Sequence, residues 1–312
     1  MKRRRFLISL TNDDNDYQQE QAAAAEKAAR QLNVETEIIH ANNDAVTQSQ
    51  QLLHFIQGPA VSRPDAIIFE PAGGTGFPQV ARAAIAAGMG WVVLNHDADY
   101  LCRLRENMKI PVFSISSDHV EVGRIQGQQM AVLLPLGGSV LHIEGPAGSS
   151  AAKERTEGMN QTKPDDIQVK TLRGYWTEDS AYRAVNSWLK LRTSQALHFD
   201  LVAAQDDSMA AGAKRAFSES AEDRERWLQI PFIGCDGLPK TGQSWVRSGQ
   251  LTATIYIRPN TDLALEMLAE AYRSGSQPQQ RTLTAPQSIP SVEELATQAA
   301  SAGAGKHRSA GA

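Results

Sequence analysis

Only two cysteines occur in this chain of 312 residues, Cys102 and Cys235, and they stand far apart. That spacing offers neither a metal-binding pair nor a disulfide framework. The seven histidines include no HExxH and no close pair, so the sequence supplies no obvious metal ligands. No apolar run approaches the roughly 20 residues that cross a bilayer. The opening, MKRRRFLISLTNDDND, begins with cations, but its apolar run stops at Leu10. A signal-peptide core needs about 7–15 apolar residues and a small-residue cleavage site, so none is expected within these residues. An excess of positive charge is also lacking. The formal net charge is −4, whereas a nucleic-acid partner would need a concentrated basic face. The one basic run, Lys2 to Arg5, reads as a solvated end.

What the chain does have is alternation. Short apolar runs, FLISL (6–10), AIIF (66–69), WVVL (91–94), VFSI (112–115), VLHI (140–143), LVAA (201–204) and PFIGC (231–235), each lead into a polar cluster. Continuous runs of this length predict strands buried on both faces. Ala-rich amphipathic stretches lie between them, at 17–32, 120–134 and 179–191. Strand alternating with helix predicts βαβ units and parallel sheets. There are too many units for one small sheet, so the expected fold is α/β, with two Rossmann-like, doubly wound domains. The small, polar stretch from 296 to 312 is expected to carry no structure.

The polar clusters matter because ligands of open α/β sheets bind outside the carboxyl ends of the strands. Those ends carry Asn15, Glu70, Asn95, His96, Asp206 and Asp236. After the strand at 140–143 comes GPAGSSAAKERTEGMNQ. It lacks the Gly-Lys-Ser/Thr ending of a phosphate loop and the GxSxG of a nucleophile elbow. A tight strand-to-helix turn fits better, with Ser149 or Ser150 capping the helix. Helical side chains lean toward the N-terminus, so Arg155 can reach back to the strand edge. Local pattern alone suits an ion-paired surface arginine equally well. His96-Asp97 suggests acid–base chemistry, but no serine, cysteine or lysine is tied to it by spacing, and a ligand hydrogen bond or a plain loop accounts for it. Tyr17 and Trp176 follow predicted strands, where an aromatic either plugs the core or lies flat on the C–H face of a sugar ring.

Several segments together resemble periplasmic sugar-binding proteins of the ribose-binding type. They are SISSDHVEVGRIQGQQM, VLHIEGPAGSSAAKERTEGMNQ, AAQDDSMAAGAKRAF, FIGCDGLPKTG and LTATIYIRPN, in the family's order and spacing. The resemblance spans roughly residues 5–290. It implies two lobes joined by three crossovers, one of 1–116 plus 258–282 and the other of 117–257 plus 283–295. A ligand would sit in the cleft between them, closed by hinge motion. Carried over by position, the implied ligand contacts are Thr11, Asn15 and Tyr17, then Glu70, Asn95 and His96, then Arg155, Trp176, Asp206 and Asp236. The chain departs from the family at His96, where arginine is usual, and at Asp206, often asparagine. Cys235 and Ile257 also differ, the latter standing where glutamine is usual. With Glu70 these changes make the implied pocket more acidic than a typical pentose or hexose site.

The leading expectation is therefore a non-enzymatic solute receptor, monomeric and without a cofactor. It would bind a sugar or polyol-like ligand and serve an ABC importer whose permease and ATPase are separate chains. The resemblance implies a periplasmic or cell-envelope location, and the lack of a visible signal peptide leaves a cytoplasmic one open. A ligand-sensing domain acting on a kinase, chemoreceptor or regulator is the alternative. Direct DNA binding is not expected, because the first strand begins within a few residues of Met1 and leaves no room before it for a helix-turn-helix. An enzyme of another class has no nucleophile, metal or cofactor motif behind it.

Overall fold

The computed structural model describes residues 3–74, 76–96, 98–106, 110–191, 197–220 and 224–309; Asp97 and residues 310–312 lie outside them. The chain divides into two compact units. The first comprises Met1–Ser117, Gly148–Ala151 and Pro259–Thr284, and the second Asp118–Ala147, Ala152–Arg258 and Ala285–Ala312.

Strand and helix alternate from the start: β1 Arg5–Leu10, α1 Asp16–Leu32, β2 Glu35–His40, α2 Ala45–Gln57, β3 Ala66–Phe69, α3 Pro78–Ala86, β4 Gly90–Leu94, α4 Leu101–Arg105 and β5 Val112–Ser117. The pattern then repeats: α5 His119–Leu133, β6 Gly138–Glu144, α6 Ser150–Thr162, β7 Ile167–Arg173, α7 Glu178–Leu189, β8 Leu201–Ala204, α8 Asp207–Glu219, α9 Arg224–Gln229 and β9 Phe232–Ile233. The remaining elements are α10 Gly242–Arg247, β10 Thr254–Tyr256, α11 Thr261–Ser274, β11 Arg281–Thr284, β12 Gln287–Ile289 and α12 Val292–Ser309.

In the first unit the strands pair in the order β11-β5-β4-β3-β1-β2, all parallel. In the second the order is β7-β6-β8-β9, again parallel, beside a short antiparallel β10–β12 pair. Each sheet therefore reverses direction next to its first strand, at β1/β3 and at β6/β8. Such switch points are where doubly wound sheets leave a crevice for a ligand.

The apolar runs form strands because both of their faces are covered. Phe6, Ile8 and Leu10 point into one core and Leu7 into another, and Trp91 and Val93 oppose Val92 and Leu94 in the same way. In the second sheet Leu141 and Ile143 face one core while Val140 faces the other. This alternation is the strand period of two with both sides apolar. β2 (ETEIIH) and β7 (IQVKTLR) escape the apolar-run criterion because they are edge strands, each with half-exposed and charged positions.

The C-terminal stretch corrects an expectation. Residues 296–309 belong to helix α12 rather than to a structureless tail. Its start is fixed by a reciprocal cap, in which Ser291 N–H donates to Glu294 Oε2 at 3.0 Å and Glu294 N–H to Ser291 Oγ at 3.2 Å. Leu295, fully buried, then anchors the first turn in the same core as Met130 of α5 and Leu134 just beyond it. Once started, the Ala-rich run has the propensity to continue.

Candidate functional site

At the carboxyl end of the first sheet, α1 begins at Asn15, whose Oδ1 accepts from the backbone N–H groups of Tyr17 at 2.8 Å and Gln18 at 3.3 Å. Asn15 is thus a helix cap, and capping holds it at the strand edge. Thr11 lies one residue beyond β1, and its N–H donates to Gln18 Oε1 at 3.3 Å. Gln18 Nε2 in turn donates to Glu70 Oε2 at 3.0 Å, and Asn95 Nδ2 donates to the same oxygen at 3.2 Å. Asn95 Nδ2 also meets the Tyr17 hydroxyl at 3.2 Å. Asn260 Nδ2 donates to Asn95 Oδ1 at 2.8 Å. The structure therefore joins Tyr17, Glu70 and Asn95 into one buried network. His96 is half-buried, its Nδ1 lying 3.4 Å from the Leu94 carbonyl. The sequence reading missed Gln18 and Asn260, because nothing local marks a glutamine one turn into a helix or an asparagine that meets its partner 165 residues away.

The second sheet has its own cluster. Arg155, in the second turn of α6, is 5% exposed. Its NH1 donates to the Gln205 carbonyl and its Nε to His119 Nδ1 at 3.4 Å. Its guanidinium carbon stands 5.4 Å from the centre of the Trp176 ring. The side chain of Gln205 pins the surrounding backbone: Oε1 accepts from Gly145 N–H at 2.9 Å, and Nε2 donates to the Ala152 carbonyl at 3.0 Å and Thr156 Oγ1 at 2.9 Å. A Cβ on Gly145 would collide with the Trp176 ring, so the ring rests directly on that glycine's backbone. Asp206 caps α8 by accepting from Met209 N–H. Asp236 continues the strand end after β9, its N–H donating to the Ile255 carbonyl at 2.9 Å.

Three of the predicted residues sit in the left-handed backbone region: Asn95 at φ 56°, Trp176 at 61° and Asp236 at 100°. Asparagine tolerates this region, but for tryptophan it is an outlier. Strain of this kind costs about 1–3 kcal/mol per residue and concentrates at ligand sites.

Electrostatics separate the carboxylates. Asp207, fully buried, accepts from Thr254 Oγ1 at 2.7 Å and Gly237 N–H at 2.8 Å. Burial pushes its carboxyl up to about 8; the neighbouring Asp206 charge adds to this, while the two donors and Arg155 oppose it. Glu144 moves the other way. The His142 ring, its Nδ1 3.7 Å from Glu144 Oε1, lowers it against the pull of burial, with Thr156 and Arg173 helping. Burial raises the Cys235 thiol well above its usual range, so it stays protonated and is a poor nucleophile. Among the described residues, no group of three or more His, Cys, Asp or Glu could hold a metal ion, and no helix is long and apolar enough to cross a membrane.

What these two edges can do chemically is bind. They offer carboxylate acceptors, amide groups and a held guanidinium, arranged at sheet switch points. A family model described as the periplasmic binding protein domain matches residues 6–275. The xylitol-binding protein of Mycolicibacterium smegmatis is 28% identical over 232 residues, which are 72% of this chain and 60% of that protein. This chain thus aligns with less than two thirds of that relative's length. The ribose import binding protein of Bacillus subtilis is 25% identical, covering 81% of this chain and 75% of its own. Among solved structures, an ABC transporter periplasmic solute binding protein from Actinobacillus succinogenes with bound D-allose superposes with a TM-score of 0.78 at 19% identity. That superposition covers 94% of this chain and 99% of the other, and it establishes a shared fold.

Proposed function

Because the chain belongs to the periplasmic binding protein domain family, we propose that it is a receptor, not an enzyme, for a sugar or polyol-like solute that it delivers to an ABC importer. The observation that carries this reading is the paired chemistry of the two strand-end edges. A polyol hydroxyl is both donor and acceptor, and once buried it needs partners of both kinds. Glu70, Asp206 and Asp236 supply acceptors, Arg155 supplies donors only, and the Asn95 amide holds Glu70 and Tyr17 in place beside them. Tyr17 and Trp176 add aromatic surface for the apolar face of a ring or chain. Thr11, Asn15 and His96 complete the set in this reading.

Such a protein works by differential stabilisation: the ligand favours one conformation, and the transporter recognises that conformation. The permease and ATPase are separate chains, and the receptor acts in the periplasm or cell envelope. The xylitol-binding and ribose import binding relatives, and the solute binding protein with bound D-allose, support this ligand class. The test is a thermal-shift panel of pentoses, hexoses and linear and cyclic polyols. A ligand that binds only the native state stabilises it, by about 2.7 kcal/mol at a hundred times Kd, and so raises its melting temperature. At least one compound is expected to do so; a broad panel without a shift refutes the receptor reading.

A further inference from the structure

We propose that His119 is a positioning residue for Arg155, and that it must be neutral for Arg155 to be held as the ligand needs. The inference rests on the receptor reading with Arg155 as a ligand contact. An arginine guanidinium only donates hydrogen bonds. Arg155 Nε reaches His119 Nδ1 at 3.4 Å, so Nδ1 accepts and the ring's one proton sits on Nε2. Both residues are buried, at 3% and 5% exposure, and the pair links the first residue of α5 to the second turn of α6. Trp176 and the Gln205 carbonyl hold the guanidinium at two other points, and His119 fixes Nε.

Protonation of His119 removes that acceptor and sets a second cation against the guanidinium. The Nε hold is then lost, and binding that depends on it weakens. The ionisable groups on the elements that carry the pair are Asp118, Glu121 and Arg124 on α5 and Lys153, Glu154 and Glu157 on α6, with Asp206, Asp207, Cys235 and Asp236 beyond the ends of β8 and β9. Of the other elements packed on α5, β6 carries His142, whose Nε2 meets Gln126 Oε1 at 3.1 Å, and Glu144, and β10 carries Tyr256. β12 carries no ionisable side chain. α12 also packs on α5, and its first turn carries Glu293 and Glu294 beside Leu295. Asp207 also titrates near neutral pH, so the effect of His119 has to be read as a difference between variants that both keep Asp207.

The experiment measures the affinity of the full chain by calorimetry from about pH 8 to about pH 5, a span containing the ordinary histidine range. The probe is whichever of xylitol, D-ribose and D-allose binds most tightly. Wild type is expected to lose affinity on the acid side, approaching tenfold per pH unit once His119 is largely protonated. His119→Asn keeps an acceptor oxygen near the Nδ1 position. It is expected to match wild type within about threefold at pH 8 and to lack that acid loss. His119→Leu removes the acceptor and is expected to bind more weakly at every pH, with circular dichroism checking its fold. The same pH profile in wild type and His119→Asn overturns the proposal, as does wild-type affinity in His119→Leu. If none of the three probes binds wild type, the strongest stabiliser of the thermal-shift panel takes their place; if no panel compound binds, the receptor reading itself fails, a separate outcome from these two.

Discussion

Asp207 shows how one side chain can tie stability to pH. Its carboxyl is fully buried and pushed up to about 8, whereas an unfolded aspartate titrates near 3.9. Between about pH 4 and pH 8 the folded chain therefore holds a proton that the unfolded chain has released. The folded state binds more protons, so stability falls as pH rises through this window, by up to about 1.4 kcal/mol per unit. Asp207→Asn is expected to flatten that slope in urea unfolding series at several pH values. An unchanged slope means that Asp207 is ionised in the folded state. Cys235, packed close by, is a neutral apolar group rather than a reagent.

The contact of α5 with α6 depends on the absence of two side chains. A Cβ on Gly123 would run into the Arg155 carbonyl oxygen, and one on Gly158 into that of Val120. The two helices touch backbone to backbone at this point, and that contact sets the height at which α6 presents Arg155. Gly158→Ala improves helix propensity but must push the helices apart, and overpacking costs about 1–3 kcal/mol. Denaturant unfolding is expected to show a lower midpoint with an unchanged slope. A midpoint equal to wild type means that the seam has room. Both helices are visible in the sequence, as an Ala- and Gln-bearing amphipathic stretch and a capped turn. Their closeness is not visible, because a glycine in a helix is read locally only as a weak helix former.

At the scale of the whole chain, two units of similar construction each end in a polar edge. If one ligand engages both, substitutions in separate units must damage the same binding event. Glu70→Gln in the first unit and Arg155→Ala in the second are each expected to reduce or abolish the thermal shift given by the best compound. Arg155→Ala also loses its bond to Gln205, so its own melting temperature drops and has to serve as its baseline. Loss of binding in only one of the two variants restricts the site to that unit.

The sequence by itself determined the α/β class, the parallel sheets and most of the strands. FLISL, AIIF and WVVL must be buried on both faces, and that requirement acts locally. It also placed polar residues at strand ends, which is where Glu70, Asn95, Asp206 and Asp236 lie. Tertiary structure decided what those residues touch. Asn260 reaches Asn95 across 165 residues, and His119 meets Arg155 across 36. The edge strands β2 and β7 and the start of α12 likewise needed neighbours to define them. Local pattern encodes which face of an element is buried. Hydrogen-bond partners distant in the chain, and helices held together by missing side chains, exist only once the elements have packed.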